Sequence, residues 1–192
     1  LENLLAKARS FEEAGITCRM LTGSYGYPAV TITGSVEKDI VLIDLIVGVK
    51  ASASDHRSSN ITGDELIRLA TDARRGGMLS GKAGYVTIHM GSGKAGLDPI
   101  FYAAEHSDLP AKILLPTHIG RTESLFEQGL KYIETGGTVD ITAGEDESGN
   151  RSVSEKIVRA FERGGKHSIT VTSDGVGSMP KFNEKMELTG LT

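Results

Sequence analysis

Residues 45–50, Leu45-Ile46-Val47-Gly48-Val49-Lys50, form a short apolar run that ends at a lysine. A β-branched run without polar alternation reads as a strand buried on both faces, the condition of a parallel sheet. The pattern recurs. Tyr85-Val86-Thr87-Ile88 leads to His89, Ile113-Leu114-Leu115-Pro116-Thr117 to His118, and Ile169-Thr170-Val171-Thr172-Ser173 to Asp174. Strands that each close on a polar residue deliver those residues to the C-terminal rim of an α/β barrel, where such folds place their chemistry. Two imidazoles, a carboxylate and a lysine at one mouth point to a metal site.

Between these runs the hydrophobic period switches from 2 to 3.6. Leu4, Leu5, Ala8 and Phe11 fall at helical spacing, and Gly15 ends that pattern. Residues 16–21 read as a strand, and Ser35 caps a short helix reaching residue 40. Thr62-Gly63-Asp64-Glu65 has the form of a capping box, opening a helix with Leu66, Leu69, Ala70 and Ala73 on one face and Gly76-Gly77 at its end. Asp98-Pro99 starts another helix. Further strands are expected over 84–89, 112–117, 138–142 and 168–173, and further helices over 123–134 and 154–163. Residues 145–151 read as an exposed loop, and the stretch after Asp174 as a surface loop. Six strand signals alternate with five helical ones, which predicts an α/β fold with right-handed crossovers, of the (β/α)8 TIM-barrel type but with only about six βα units.

Composition narrows the function classes. The chain has 192 residues, 39% of them hydrophobic, enough for one domain with a sizeable core. A net charge of −4 with both signs interspersed gives no footprint for nucleic acid or an anionic membrane. The single cysteine, Cys18, excludes an internal disulfide and a thiolate zinc cluster; it reads as a small core residue, and a reducing cytoplasm suits it. No segment is long and apolar enough to span a bilayer. Gly91-Ser92-Gly93-Lys94 lacks the spaced first glycine and the Lys-Ser/Thr ending of a phosphate loop.

The residues alone leave the chemistry open. A strand-end histidine can be a hydrogen-bonded structural residue as well as a ligand. Lys50 has no lone pair to offer a cation while protonated. It could bridge metals only after carboxylation to a carbamate, or act as a desolvated amine in a Schiff-base lyase or aldolase. His56, His106 and His167 fall in polar turn regions and read as solvated.

The segments Thr33-Gly34-Ser35-Val36-Glu37-Lys38-Asp39, Ile46-Val47-Gly48-Val49-Lys50, Ser54-Asp55-His56-Arg57-Ser58, His89-Met90-Gly91, Leu114-Leu115-Pro116-Thr117-His118 and Ser173-Asp174-Gly175-Val176-Gly177-Ser178 together resemble the isoaspartyl dipeptidases, binuclear zinc members of the amidohydrolase superfamily. The resemblance implies a metal-dependent hydrolase that cleaves the isopeptide bond of β-aspartyl dipeptides by a metal-bound hydroxide. It implies two Zn2+ per complete active site, bridged by a carboxylated Lys50, with His89 and His118 completing the more open metal site. Asp174 matches the ligand of the other metal, which also takes a proton. Tyr25 matches the tyrosine that polarises the scissile carbonyl, Arg57 and Arg121 match arginines that bind substrate carboxylates, and Ser178 matches a substrate-contacting serine. Arginine forks suit planar carboxylates, and a β-aspartyl dipeptide carries two. The family further implies a cytoplasmic homo-oligomer.

One departure stands out. Members of this superfamily carry a His-X-His pair on the first barrel strand, and no such pair occurs in this sequence. Residues 1–192 are therefore expected to be a partial catalytic barrel, with the opening units and the family's small β-sandwich domain absent. A fragment without catalysis is the remaining alternative.

Overall fold

A computed structural model describes the chain except for Ser59, Gly165, Glu184, Thr192 and residues 144–146 and 176–179, and for residues 147–151, 180–182, 188, 190 and 191 it describes the backbone. The elements run α1 (Glu2–Glu13), β1 (Met20–Gly23), α2 (Val36–Leu42), β2 (Ile46–Ala53), α3 (Gly63–Ser80), β3 (Tyr85–Met90), α4 (Asp98–Glu105), β4 (Leu114–Thr117), α5 (Glu123–Glu134), β5 (Val139–Thr142), α6 (Glu147–Gly164), β6 (Ile169–Thr172), β7 (Pro180–Phe182) and β8 (Leu188–Leu191). Short 3-10 turns at Ala111–Ile113 and Ile119–Arg121 flank β4.

The strands β1-β2-β3-β4 form one parallel sheet in chain order, and β5-β6 a second parallel pair. This is the βα alternation of a barrel wall, incomplete within these residues. Ile46, Val49, Ala51 and Ala53 of β2 and Val86, Ile88 and Met90 of β3 are buried, as strands covered on both faces must be. The helices close over them with Ile40, Leu66, Leu69, Ala70, Ala73, Ile100, Leu125, Phe126, Leu130 and Ile133.

Local chemistry accounts for the helix starts. Ser35 accepts from the Lys38 amide at the start of α2. Thr62 and Glu65 form the reciprocal capping box of α3, a device worth about 1 kcal/mol. Thr122 caps α5 by accepting from the Leu125 amide.

Several boundaries depart from the sequence reading. β2 does not stop at Lys50; it continues through Ala51-Ser52-Ala53, which pair with Ile88, His89 and Met90 of β3. β1 starts late, at Met20, and Cys18 lies half-buried just before it. Gly76 and Gly77 do not end α3, which runs on to Ser80 and closes on left-handed Gly81. A Cβ on Gly77 would sit 2.6 Å from the Cα of Gly84, just before β3, and one on Gly76 3.1 Å from the Glu37 carbonyl oxygen of α2, so the pair marks close packing of α3 on its neighbours rather than a stop. Residues 147–151 are helical, extending α6 toward its N-terminus. The stretch after Asp174 contains an antiparallel β7-β8 pair where a loop was expected.

Candidate active site

The site is built at the C-terminal ends of the parallel strands. Lys50 sits in mid-strand, flanked in register by Gly23 of β1 and Thr87 of β3. Gly23 has φ +84°, and a Cβ there would meet the Lys50 carbonyl oxygen at 2.4 Å. Only glycine lets β1 turn this close to β2. The turn carries Tyr25 over Lys50, whose Nζ lies 5.0 Å from the ring centroid.

His89 and His118 meet edge to face, their ring centroids 4.5 Å apart. His89 is buried near the end of β3, with Tyr25 Oη 3.3 Å from its Nδ1 and Asp55 Oδ2 3.2 Å from its Nε2. His118 follows β4 in a left-handed conformation, φ +65°, and its Nδ1 lies 2.6 Å from Thr142 Oγ1. Burial holds both imidazoles below their ordinary pKa, His89 down to about 4 with the charges of His118 and Arg121 adding to the effect. For His118, Asp174 opposes that shift while Arg121 and Lys50 reinforce it, so all three lie within electrostatic reach of the ring. Both rings are therefore neutral near pH 7, the state in which an imidazole nitrogen can ligate.

Beyond β2, Ser54 takes φ +53° and turns the chain into Asp55, which is buried. The Arg57 fork grips this carboxylate through Nε to Oδ1 at 2.9 Å and Nη2 to Oδ2 at 3.0 Å, and the Arg57 amide adds a bond of 2.8 Å. These hydrogen bonds from Arg57 hold the Asp55 carboxyl far below the usual range. Arg121 Nη1 lies 3.9 Å from Asp55 Oδ2, and the Arg57 guanidinium 4.9 Å from the Tyr25 ring centroid.

Asp174, at the end of β6, is exposed and has φ +47°. It lines a cavity of about 350 Å3 together with His118, Gly120, Arg121, Val153 and Lys156. Behind it, buried Asp140 of β5 accepts from Thr117 Oγ1 (2.6 Å), Thr170 Oγ1 (2.8 Å) and Thr172 Oγ1 (2.8 Å). One carboxylate thus ties β4 to the β5-β6 pair, where strand pairing passes from one sheet to the next.

The structure places Tyr25, Lys50, Arg57, His89, His118 and Arg121 in one linked constellation, with Asp174 beside His118 and Arg121. Ser178 lies outside the described residues. His56 and His167 are exposed, and His106 stacks on Tyr102 at a centroid distance of 4.1 Å, away from the mouth. Sequence reasoning gave no role to Asp55, Asp140 or Thr142; an acid two residues before Arg57 was the one available signal.

The donor set fits a cation in part. His89 and His118 bring two neutral imidazoles together, their centroids 4.5 Å apart, but among the described residues no three His, Cys, Asp or Glu side chains gather closely enough to hold a metal ion. Lys50, also within electrostatic reach of His118, has no lone pair to give as an ammonium.

No family model matches the chain. Among solved structures it superimposes with a TM-score of 0.86 and 46% identity on a β-aspartyl dipeptidase from the thermophilic, keratin-degrading Fervidobacterium islandicum AW-1 in complex with a β-Asp-Leu dipeptide, over all of this chain and 50% of that one. Along its whole length the chain resembles part of a β-aspartyl dipeptidase. A second structure of the dipeptidase from that organism gives 0.82 and 46%, over 91% of this chain and 48% of the other. The chain therefore spans about half the length of the β-aspartyl dipeptidases it matches. An Escherichia coli phosphotriesterase homology protein, with phosphate in its active site, aligns at 0.59 and 16% over 86% of this chain and 61% of its own. An amidohydrolase from Mycoplasma synoviae gives 0.58 and 18%, over 89% of this chain and 55% of that one. At such identities these two speak for the fold alone.

Proposed function

We propose that this chain carries part of the catalytic barrel of a zinc-dependent isoaspartyl dipeptidase, which hydrolyses the isopeptide bond of β-aspartyl dipeptides. What carries the reading is the convergence of His89 and His118 with Lys50, Tyr25 and two arginines, in a chain 46% identical to a β-aspartyl dipeptidase along its whole length. His89, His118 and Lys50, the last as a carbamate whose oxygens replace the ammonium, would hold the more open zinc. Asp174 would serve the other. Bound zinc supplies Lewis acidity, acidifying water and polarising a carbonyl.

The protein's own groups do the rest. Tyr25 directs its hydroxyl toward the scissile carbonyl oxygen. Arg57 and Arg121 leave one net positive charge after pairing with Asp55, which suits a substrate bearing two carboxylates. Asp174 accepts the proton released when water adds to the amide and passes it to the leaving amine. Ser178 contacts substrate. By the same resemblance, the protein works as a cytoplasmic homo-oligomer.

The test is hydrolysis of β-Asp-Leu, with zinc supplied, by the complete barrel of which this chain is proposed to be a part. Expected are release of aspartate and leucine, abolition by a chelator and recovery on adding zinc. Turnover insensitive to chelation would refute the metal assignment, and borohydride trapping of a carbonyl substrate on Lys50 would replace it with the lyase reading.

A further inference from the structure

We propose that Asp55 is a positioning residue of this site: one buried carboxylate fixes the Arg57 fork, draws in Arg121 and selects the tautomer of His89. The inference rests on the dipeptidase reading for its substrate and metal, but its geometry stands apart from it. Asp55 is 5% exposed, and a buried carboxylate must be paired on every side. Its partners come from three places in the chain: Arg57 on the loop after β2, His89 on β3 and Arg121 after β4. The loop presenting it is pinned in turn, since Ser54 Oγ donates to the Gly96 carbonyl at 2.7 Å and the Gly93 amide donates to the Ser54 carbonyl at 2.6 Å.

His89 Nε2 lies 3.2 Å from Asp55 Oδ2 and 3.1 Å from Arg57 Nη2. Arg57 Nη2 already donates to the same Oδ2 at 3.0 Å. Nε2 stands within hydrogen-bond distance of both groups, and its proton is assigned to the bond with the buried carboxylate, the charged acceptor of the two. Nδ1 is then bare, and it is the nitrogen beside Tyr25. A carboxylate that fixes which imidazole nitrogen stays free is the usual outer support of a metal-ligating histidine. Asp55 joins that role to substrate recognition, because the same two oxygens set the direction of the Arg57 fork.

The test begins with the metal-free full chain at pH 7.5, where long-range 1H–15N correlation reads the protonated nitrogen of His89. The Nε2–H form is expected. The Nδ1–H form would overturn the proposal, whatever the protein catalyses. Asp55→Asn should leave a mixed tautomer, raise KM for β-Asp-Leu at least about tenfold with a smaller change in kcat, and weaken zinc binding about 10–100-fold in competition with a chromophoric chelator. Asp55→Glu, which keeps the charge, should recover part of each effect. A merely structural role would lower the melting temperature and leave tautomer and KM unchanged. If Asp55→Asn fails to fold, the wild-type spectrum and Asp55→Glu still decide. If the wild-type chain cleaves no β-aspartyl dipeptide while His89 holds the Nε2–H form and loses it in Asp55→Asn, the dipeptidase reading fails and the positioning role stands.

Discussion

Lys50 and Tyr25 face each other across the mouth of the strands, the lysine Nζ 5.0 Å from the centre of the tyrosine ring. The pairing puts a group able to become a metal bridge beside one able to polarise a carbonyl. Lys50→Ala is expected to remove zinc and lower turnover roughly a thousand-fold, since a bound cation contributes several kcal/mol to such a reaction. Short carboxylates such as formate should restore part of both. Metal content by atomic emission and the rate with added formate check this together.

Arg121 and Asp174 line one cavity but should fail differently. Arg121→Ala would take away the charge-assisted hydrogen bonds proposed to a substrate carboxylate, worth about 1.5–3 kcal/mol, so KM should rise roughly tenfold to a hundredfold while kcat holds. Asp174→Asn keeps the shape and loses the proton acceptor, so kcat should fall about 10²–10⁴-fold with KM near normal. Steady-state kinetics of the two variants separates binding from proton transfer.

Acid should loosen the metal-free protein in a defined window. The His89 pKa is pushed down to about 4 from 6.5, so between these values the unfolded chain binds a proton that the folded chain refuses. Stability is therefore complete above pH 6.5 and declines as pH falls toward 4, by about 3 kcal/mol if the whole shift is realised. Asp55, held low by Arg57, adds its own loss only below the normal carboxylate range. Chemical denaturation across this range should show the slope, and His89→Gln should reduce it to the share that His118, lowered in the same direction, contributes.

Asp140 should matter to stability more than to chemistry. Asp140→Ala leaves the hydroxyls of Thr117, Thr170 and Thr172 without their shared acceptor. A loss of about 3 kcal/mol is expected, with Asp140→Asn milder because an amide oxygen can still accept. Urea midpoints of the two variants give the comparison.

Much of the architecture was readable because it rests on local chemistry. The Thr62-Glu65 capping box, the Ser35 cap and the span of α5 follow from short-range pattern, and the β-branched runs mark the buried strands. Ala51-Ser52-Ala53 carries little strand propensity; pairing with β3 makes it a strand, and such pairing is invisible along one segment. Gly76-Gly77 reads as a stop because close packing of a helix on its neighbours calls for the same residue type as a turn. In the site, strand-end Lys, His and Asp were legible as chemistry. Asp55, Asp140 and Thr142 were not, because their meaning lies in partners as much as 66 residues away, as with Arg121 and Asp55.

The threonine hydroxyls gathered on Asp140 also give this wall a joint. A hydroxyl can turn about one bond and keep its acceptor, which a ladder of amides cannot do. The bond from Thr117 to Asp140 joins β4 to β5, and those from Thr170 and Thr172 join β5 to β6. Exchanging a threonine there for valine would remove one hydroxyl from this joint, whereas serine would keep the bond to Asp140.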